Sequence, residues 1–217
     1  MKAPEITKEH IVPLYETRFL NMYDLQYAPG KHYYAASRRK AEDMPAIKSD
    51  EDAGRMLPDA VSCVVILAPD GEEPRLLLNM EYRYPAGRFL LSIPAGLIDP
   101  EDKDAEEPLL ETARREIREE TGLRLTDEDT LEVISPFVYS TPGMTDESNA
   151  LVCAVVHSAG EGLSQAGAMG SECFNGFEVI TKEEALHFLR AGRDRSGQFY
   201  SVYTWAALTW FVSGLWE

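Results

Sequence analysis

The segment Glu107-Pro-Leu-Leu-Glu-Thr-Ala-Arg-Arg-Glu-Ile-Arg-Glu-Glu-Thr-Gly-Leu123 constrains the fold more than any other part of the chain. Leu109, Ala113 and Ile117 recur at four-residue steps, which is the spacing of one helical face. Pro108 suits a first turn and Gly122 a left-handed C-terminal cap, so a helix is expected from about Glu107 to Thr121. Its other side is costly. Glu116, Glu119 and Glu120 crowd together at three- and four-residue spacing, each like-charge pair costing about 0.2–0.5 kcal/mol. They also oppose the helix dipole near its C-terminal end. Two arrangements relieve this: a solvated acidic face neutralised by Arg114, Arg115 and Arg118, or a site for a hard divalent cation, whose preferred ligands are such carboxylates.

Around this helix the pattern alternates between strands and helices. Apolar runs predict strands at Val61–Leu67, Arg75–Tyr84, Phe89–Ile93, Leu131–Tyr139, Ala150–His157 and Phe177–Ile180. Lys182–Ala191 and Ser201–Gly214 read as closing helices. A Gly/Ser/Ala-rich loop spans Ser158 to Ser171, a composition expected to be mobile until a substrate orders it. Upstream, Tyr23–Tyr27 and His32–Ser37 flank Pro29-Gly30 and predict a β-hairpin, followed by a polar linker from Lys40 to Arg55. An isolated hairpin is marginal in water, so residues 1–55 are expected to pack on something larger. The expected division is a segment 1–55 and an α/β domain 56–217, with helices flanking a mixed sheet.

Net charge excludes one class of function. At −16 over 217 residues, the chain is unsuited to gripping a nucleic-acid backbone. Three cysteines without C-x-x-C spacing indicate neither a disulfide framework nor a zinc knuckle, and Cys63 and Cys153 lie in apolar runs. The N-terminus shows no apolar signal region, and the Tyr203–Trp216 stretch is too short and interrupted to span a bilayer. A reduced, cytoplasmic protein without a membrane partner is expected.

The order Arg115-Glu-Ile-x-Glu-Glu-x-Gly-Leu123, with Glu107 eight residues before Arg115 and Gly96 upstream, resembles the Nudix box. The resemblance implies an α/β (α+β) sandwich of Nudix type, with an N-terminal β-hairpin segment added. It also implies a Mg²⁺-dependent hydrolase, Mn²⁺ being an alternative ion. Glu116, Glu119 and Glu120 carry over as metal-binding carboxylates, with Glu119 also catalytic and the Ala95 carbonyl as a backbone ligand. Arg115 would orient a glutamate through a charge-assisted bond, and Gly96 would let the backbone approach metal and phosphate. Ten residues separate Gly96 from Glu107 where the family pattern has five. The excess falls in Pro100-Glu-Asp-Lys-Asp-Ala105, which leaves Glu106 and Glu107 as alternatives for the pattern's first glutamate.

Further motifs resemble the ADP-ribose pyrophosphatase branch: Glu81-Tyr-Arg-Tyr-Pro85, Pro94-Ala-Gly-Leu-Ile-Asp99, Tyr139-Ser-Thr-Pro-Gly-Met-Thr-Asp-Glu147 and Ser171-Glu172. The branch implies Arg83 as a phosphate contact, against the plainer reading of an ion pair with Glu81. Tyr33 and Tyr34 would stack an adenine, against the plainer reading of core aromatics. Glu172 is expected as a metal ligand or base, with Glu147 competing for the base role. Ser92 departs from several relatives, which carry a glutamate two residues before Pro-Ala-Gly. The branch also implies a homodimer through the N-terminal strands. The expected reaction is hydrolysis of a nucleoside diphosphate linked to a small moiety, ADP-ribose to AMP and ribose 5-phosphate. The alternatives are a pyrophosphatase for other NDP-sugars and a non-catalytic nucleotide-binding sensor.

Overall fold

The computed structural model describes residues 3–157 and 162–217, so Ser158–Glu161 of the Gly/Ser/Ala-rich loop lie outside the described residues. The chain divides into two compact units, residues 1–59 with 137–149, and residues 60–136 with 150–217.

The first unit is built on an antiparallel sheet of β1 (Ile11–Glu16), β2 (Asn21–Ala28) and β3 (Lys31–Ser37). The expected hairpin is β2–β3, turned at Gly30 with φ +66°. Strand β1 has no local sequence signal, because Pro13 interrupts it and the register shifts between Pro13 and Tyr15. The stretch expected to be a linker is ordered. It forms 3-10 turns and the short helix α1 (Asp50–Ala53), and buries Met44 against Ile11 and Tyr23. Residues of β3 and the segment just after it hold the 143–147 turn. Tyr33 Oη donates to the Gly143 carbonyl at 2.7 Å and the Ala36 N–H to Met144 at 2.9 Å. Ser37 reaches Asp146 at 3.0 Å and Arg38 reaches Glu147 at 2.8 Å.

The second unit is a three-layer sandwich, with its mixed sheet in the order β10-β5-β4-β9-β8 and β6 and β7 paired to β5 and β4. The strands are β4 (Ala60–Leu67), β5 (Arg75–Arg83), β6 (Arg88–Ser92), β7 (Ala95–Leu97), β8 (Thr130–Tyr139), β9 (Ser148–Val156) and β10 (Phe174–Ile180). The helices are α2 (Pro100–Lys103), α3 (Pro108–Thr121), α4 (Lys182–Ala191) and α5 (Val202–Ser213). Strand alternation divides the core in two. Val61, Cys63, Val65 and Leu67 join Ala113 and Ile117 of α3, while Val64 and Ile66 join Phe188 of α4 and Leu208 and Phe211 of α5. Each large apolar side chain so buried contributes about 1.5–3 kcal/mol. The α3 helix is anchored by this stripe, which offsets the repulsion on its acidic side. Gly122 ends it with φ +77° and its N–H bonded to the Arg118 carbonyl. The stretch over 99–107, where the extra residues before α3 fall, contains α2.

Candidate functional site

The α3 carboxylates meet the Pro94–Leu97 segment. Strand β7 pairs with β4 through Val61↔Gly96 and Ser62↔Ala95, which lays its backbone beside α3. A side chain at Gly96 is excluded, since a Cβ there would overlap the Glu116 carboxylate. Gly96 is therefore required by close approach rather than by its own dihedral angles. Glu116 and Glu120 are buried. Glu120 takes the Asn79 amide Nδ2 at 2.6 Å and the Ala95 N–H at 3.4 Å.

Arg115 ties the site together. Its Nη1 lies 2.5 Å from Glu116 and 3.5 Å from Glu119, and its Nη2 donates to the Leu97 carbonyl at 2.9 Å. Asp102 of α2 receives Nε at 3.2 Å and Nη2 at 2.8 Å, and also the Thr112 hydroxyl at 3.1 Å. Arg115 is anchored from the inserted residues by Asp102, while Glu107 precedes α3 and accepts from the Leu110 and Glu111 N–H groups. Burial alone would raise Asp102, but the bonds from Arg115 hold it below the usual carboxylate range. Burial works against the Arg115 charge, and its bonds to Asp102 and Glu116 outweigh that.

The electrostatics are lopsided. Burial pushes Glu116 up to about 7 although Arg115 opposes it, with Glu119 and Glu172 adding repulsion. Burial pushes Glu120 up to about 9, assisted by Glu81, Glu116 and Glu172 and opposed by the Ala95 N–H. Glu81 was read from the sequence only as a partner for Arg83. It is indeed paired with Arg83 at 2.6 Å, and burial raises it while Arg83 and a hydrogen bond to Ser92 oppose. Glu81 thus belongs to the carboxylate group, and the Asn79 amide contacts that group through Glu120. No local signal marks either residue, because their partners lie on α3 and β6.

Glu172 falls within electrostatic reach of Glu81, Glu116 and Glu120. Its carboxylate accepts from the Met169 N–H at 2.8 Å, and Phe174, two residues on, pairs with Glu81. The described part of its loop packs on α3. The Ser164 N–H bonds the Thr121 carbonyl at 2.9 Å, and a Cβ at Gly167 would strike the Glu119 backbone. Glu116, Glu119, Glu120, Arg115, Ala95, Gly96, Arg83 and Glu172 therefore all belong to the second unit. Glu147, Tyr33 and Tyr34 belong to the first, where Glu147 pairs with Arg38. Both tyrosines are exposed, which removes the reading of them as core residues.

The residues fit a divalent cation. The donor set is all oxygen, suited to a hard ion, and the fully buried Asn79 keeps an Oδ1 with no hydrogen-bond partner among the described residues. Among the described residues no three carboxylate, imidazole or thiol groups already converge on one point. Arg115, Asn79 and the Ala95 N–H engage the box carboxylates instead.

The similarities of the chain agree with this architecture. A solved structure described as an ADP compounds hydrolase superposes with a TM-score of 0.57 over 95% of this chain and 90% of its own, at 19% identity, which speaks to the fold alone. An uncharacterised Nudix hydrolase of Schizosaccharomyces pombe is 36% identical over 96 residues, 44% of this chain and 42% of that protein. The ADP-ribose pyrophosphatase of Saccharomyces cerevisiae is 31% identical over 112 residues, 51% of this chain and 44% of that protein. Chloroplastic Nudix hydrolase 14 of Arabidopsis thaliana is 30% identical over 112 residues, 45% and 35% of the two chains. The matched stretches thus span less than half the length of these curated relatives. The NUDIX domain model matches residues 56–201, two thirds of the chain, and on that ground the chain belongs to the Nudix family.

Proposed function

We propose that this chain hydrolyses the diphosphate of a nucleoside diphosphate joined to a small moiety, with ADP-ribose as substrate and AMP and ribose 5-phosphate as products. The observation that carries this reading is the buried Glu116–Glu120 pair, set against a backbone strand that has no room for a Cβ at Gly96. The similarity to an ADP-ribose pyrophosphatase supports the choice of substrate.

Glu116, Glu119 and Glu120, with the Ala95 carbonyl, would hold Mg²⁺ or Mn²⁺. When bound, such an ion neutralises diphosphate charge and acidifies water. Arg115, fixed by Asp102, orients Glu116 and Glu119. Arg83 grips a phosphate through its planar guanidinium, exchanging its bond to Glu81 for one to substrate. Glu172 accepts the proton as water adds to phosphorus and the bridging P–O bond breaks, while Glu147 is the competing base. Tyr33 and Tyr34 offer exposed rings for an adenine.

Exposed Leu14, Tyr15, Phe19, Leu20 and Met22 on β1, the β1–β2 turn and β2 support a homodimer through residues 1–55. Light scattering at micromolar concentration is expected to give twice the chain mass, and a monomer would remove the dimer. No helix of the described residues is long and apolar enough to cross a membrane. Cys63, Cys153 and Cys173 are free thiols, which supports a reduced cytoplasmic setting.

A substrate panel with Mg²⁺ tests the reading. ADP-ribose is expected to turn over fastest. Preference for a UDP- or GDP-sugar would reassign the substrate, and tight nucleotide binding without turnover would make the chain a sensor.

A further inference from the structure

Strand β5 brings a carboxylate to the site from outside the box helix. Asn79 and Glu81 are two residues apart on β5 and so share one face of the sheet. Asn79 reaches Glu120 at 2.6 Å from that face. Glu81 stands at a junction: it pairs with Leu90 of β6 and with Phe174 of β10, and the Tyr82 N–H bonds the Cys173 carbonyl at 2.8 Å. The last two contacts bring Glu172 alongside. The charge of Glu81 acts on Glu120 more strongly than that of Glu116, four residues away on the same helix. Ser92 of β6, opposite Asn79, bonds Glu81 through its hydroxyl.

A purely structural ion pair accounts poorly for this placement. The Glu81 side chain is only 12% exposed, whereas its partner Arg83 is 47% exposed, so the cation is largely solvated while the anion is not. Burying Glu81 beside Glu120 and Glu172 adds repulsion that one half-exposed guanidinium does not cancel. Independently, the Asn79 Oδ1 is a fully buried acceptor without a donor, on a side chain already directed at Glu120. No donor among the described residues reaches it, and the water on a hydrated cation supplies one.

We propose that Glu81 is a further ligand of the divalent cation, so that the ion is held from the strand by Glu81 as well as from the helix by Glu120. This rests on the metal-dependent reading above. It places the carboxylate that the chain lacks at position 92 on the neighbouring strand. Arg83 is then released from Glu81 when the ion binds and becomes free to contact a phosphate.

The test is Mn²⁺ binding to the intact protein, followed by calorimetry and by the electron paramagnetic resonance of free ion, in wild type, Glu81→Gln and Glu120→Gln. Glu81→Gln is expected to weaken Mn²⁺ binding by at least about tenfold. It should also reduce the rise in Tm that Mn²⁺ gives, while Tm in chelator holds or increases because a repulsive charge is gone. Should Glu81→Gln fail to fold by circular dichroism, Glu81→Asp, which keeps the charge and shortens the reach, is expected to weaken Mn²⁺ binding in the same direction. Wild-type Mn²⁺ affinity in a folded Glu81 variant, alongside weakened binding in Glu120→Gln, would overturn this inference and leave the metal-dependent reading intact. Absence of Mn²⁺ binding in the wild type would overturn that reading itself.

Discussion

Both units of this molecule bury charged groups, and they treat them in opposite ways. In the first unit each carboxylate of the network has an arginine: Asp59 and Asp146 have Arg39 at 2.8 and 3.7 Å, and Glu147 has Arg38. Ser37 and Ser148 add hydrogen bonds, though Asp146 Oδ1 has no partner among the described residues. In the second unit Asp99, Asp102, Glu116 and Glu119 all share Arg115, and among the described residues Glu120 has only the neutral Asn79 amide and Ala95 N–H as hydrogen-bond partners. A network built for stability supplies its own counter-charges. One built for catalysis leaves charge over for something it binds.

Two substitutions should separate the networks. Glu120→Gln is expected to lower kcat/KM on the order of 10⁴-fold, the scale on which single members of a catalytic unit act, with Tm in chelator unchanged or higher. Arg39→Met should do the reverse, costing about 3–5 kcal/mol of stability by leaving Asp59 and Asp146 buried without their cation. Steady-state kinetics and urea titration on both variants check this. A Glu120→Gln protein that is destabilised and still active would erase the distinction.

The next effect concerns the two candidate bases, one in each unit. Glu172→Gln is expected to reduce kcat by roughly 10²–10⁴-fold with little change in KM, the cost of a lost general base. Glu147→Gln, which removes one side of an ion pair with Arg38, should do less. The opposite order would transfer the role to Glu147.

The smallest effect is the dependence of stability on pH. Glu116 and Glu120 are raised to about 7 and about 9 from an ordinary value near 4.5. The folded protein therefore retains protons that the unfolded chain releases, so stability falls as pH rises above about 4.5 and through 7 and 9. In chelator, Tm should decline across that window. With saturating Mg²⁺ the decline should flatten, since the ion favours the ionised carboxylates. A Tm in chelator that climbs from pH 5 to 9 would contradict the burial of these groups.

What the sequence disclosed and what it hid follow one physical line. Helix α3 was legible because its stripe, its Pro108 start and its Gly122 stop are all local, and its register put the three glutamates in view. The β2–β3 hairpin was legible through Pro29-Gly30. Strand β1, with Pro13 inside it, exists only through its pairing with β2. The three-residue β7 likewise exists only through its pairing with β4. Met44 was a lone apolar residue in a polar stretch, and nothing local tells such a residue from an exposed one. At the site, Asp102 went unassigned because an inserted loop has no register, and Glu81 because its neighbours come from α3, β6 and β10. Arg83 is paired with Glu81, as the plainer reading had it, and is still half exposed.

On the proposed reading, leftover negative charge on α3 serves a divalent cation needed for diphosphate hydrolysis. The most direct measurement is ADP-ribose turnover, with AMP quantified, in Mg²⁺, in excess EDTA, and after Mg²⁺ or Mn²⁺ is restored. The account predicts turnover in Mg²⁺, its loss in EDTA and its return with either ion. Undiminished AMP release in EDTA would contradict it.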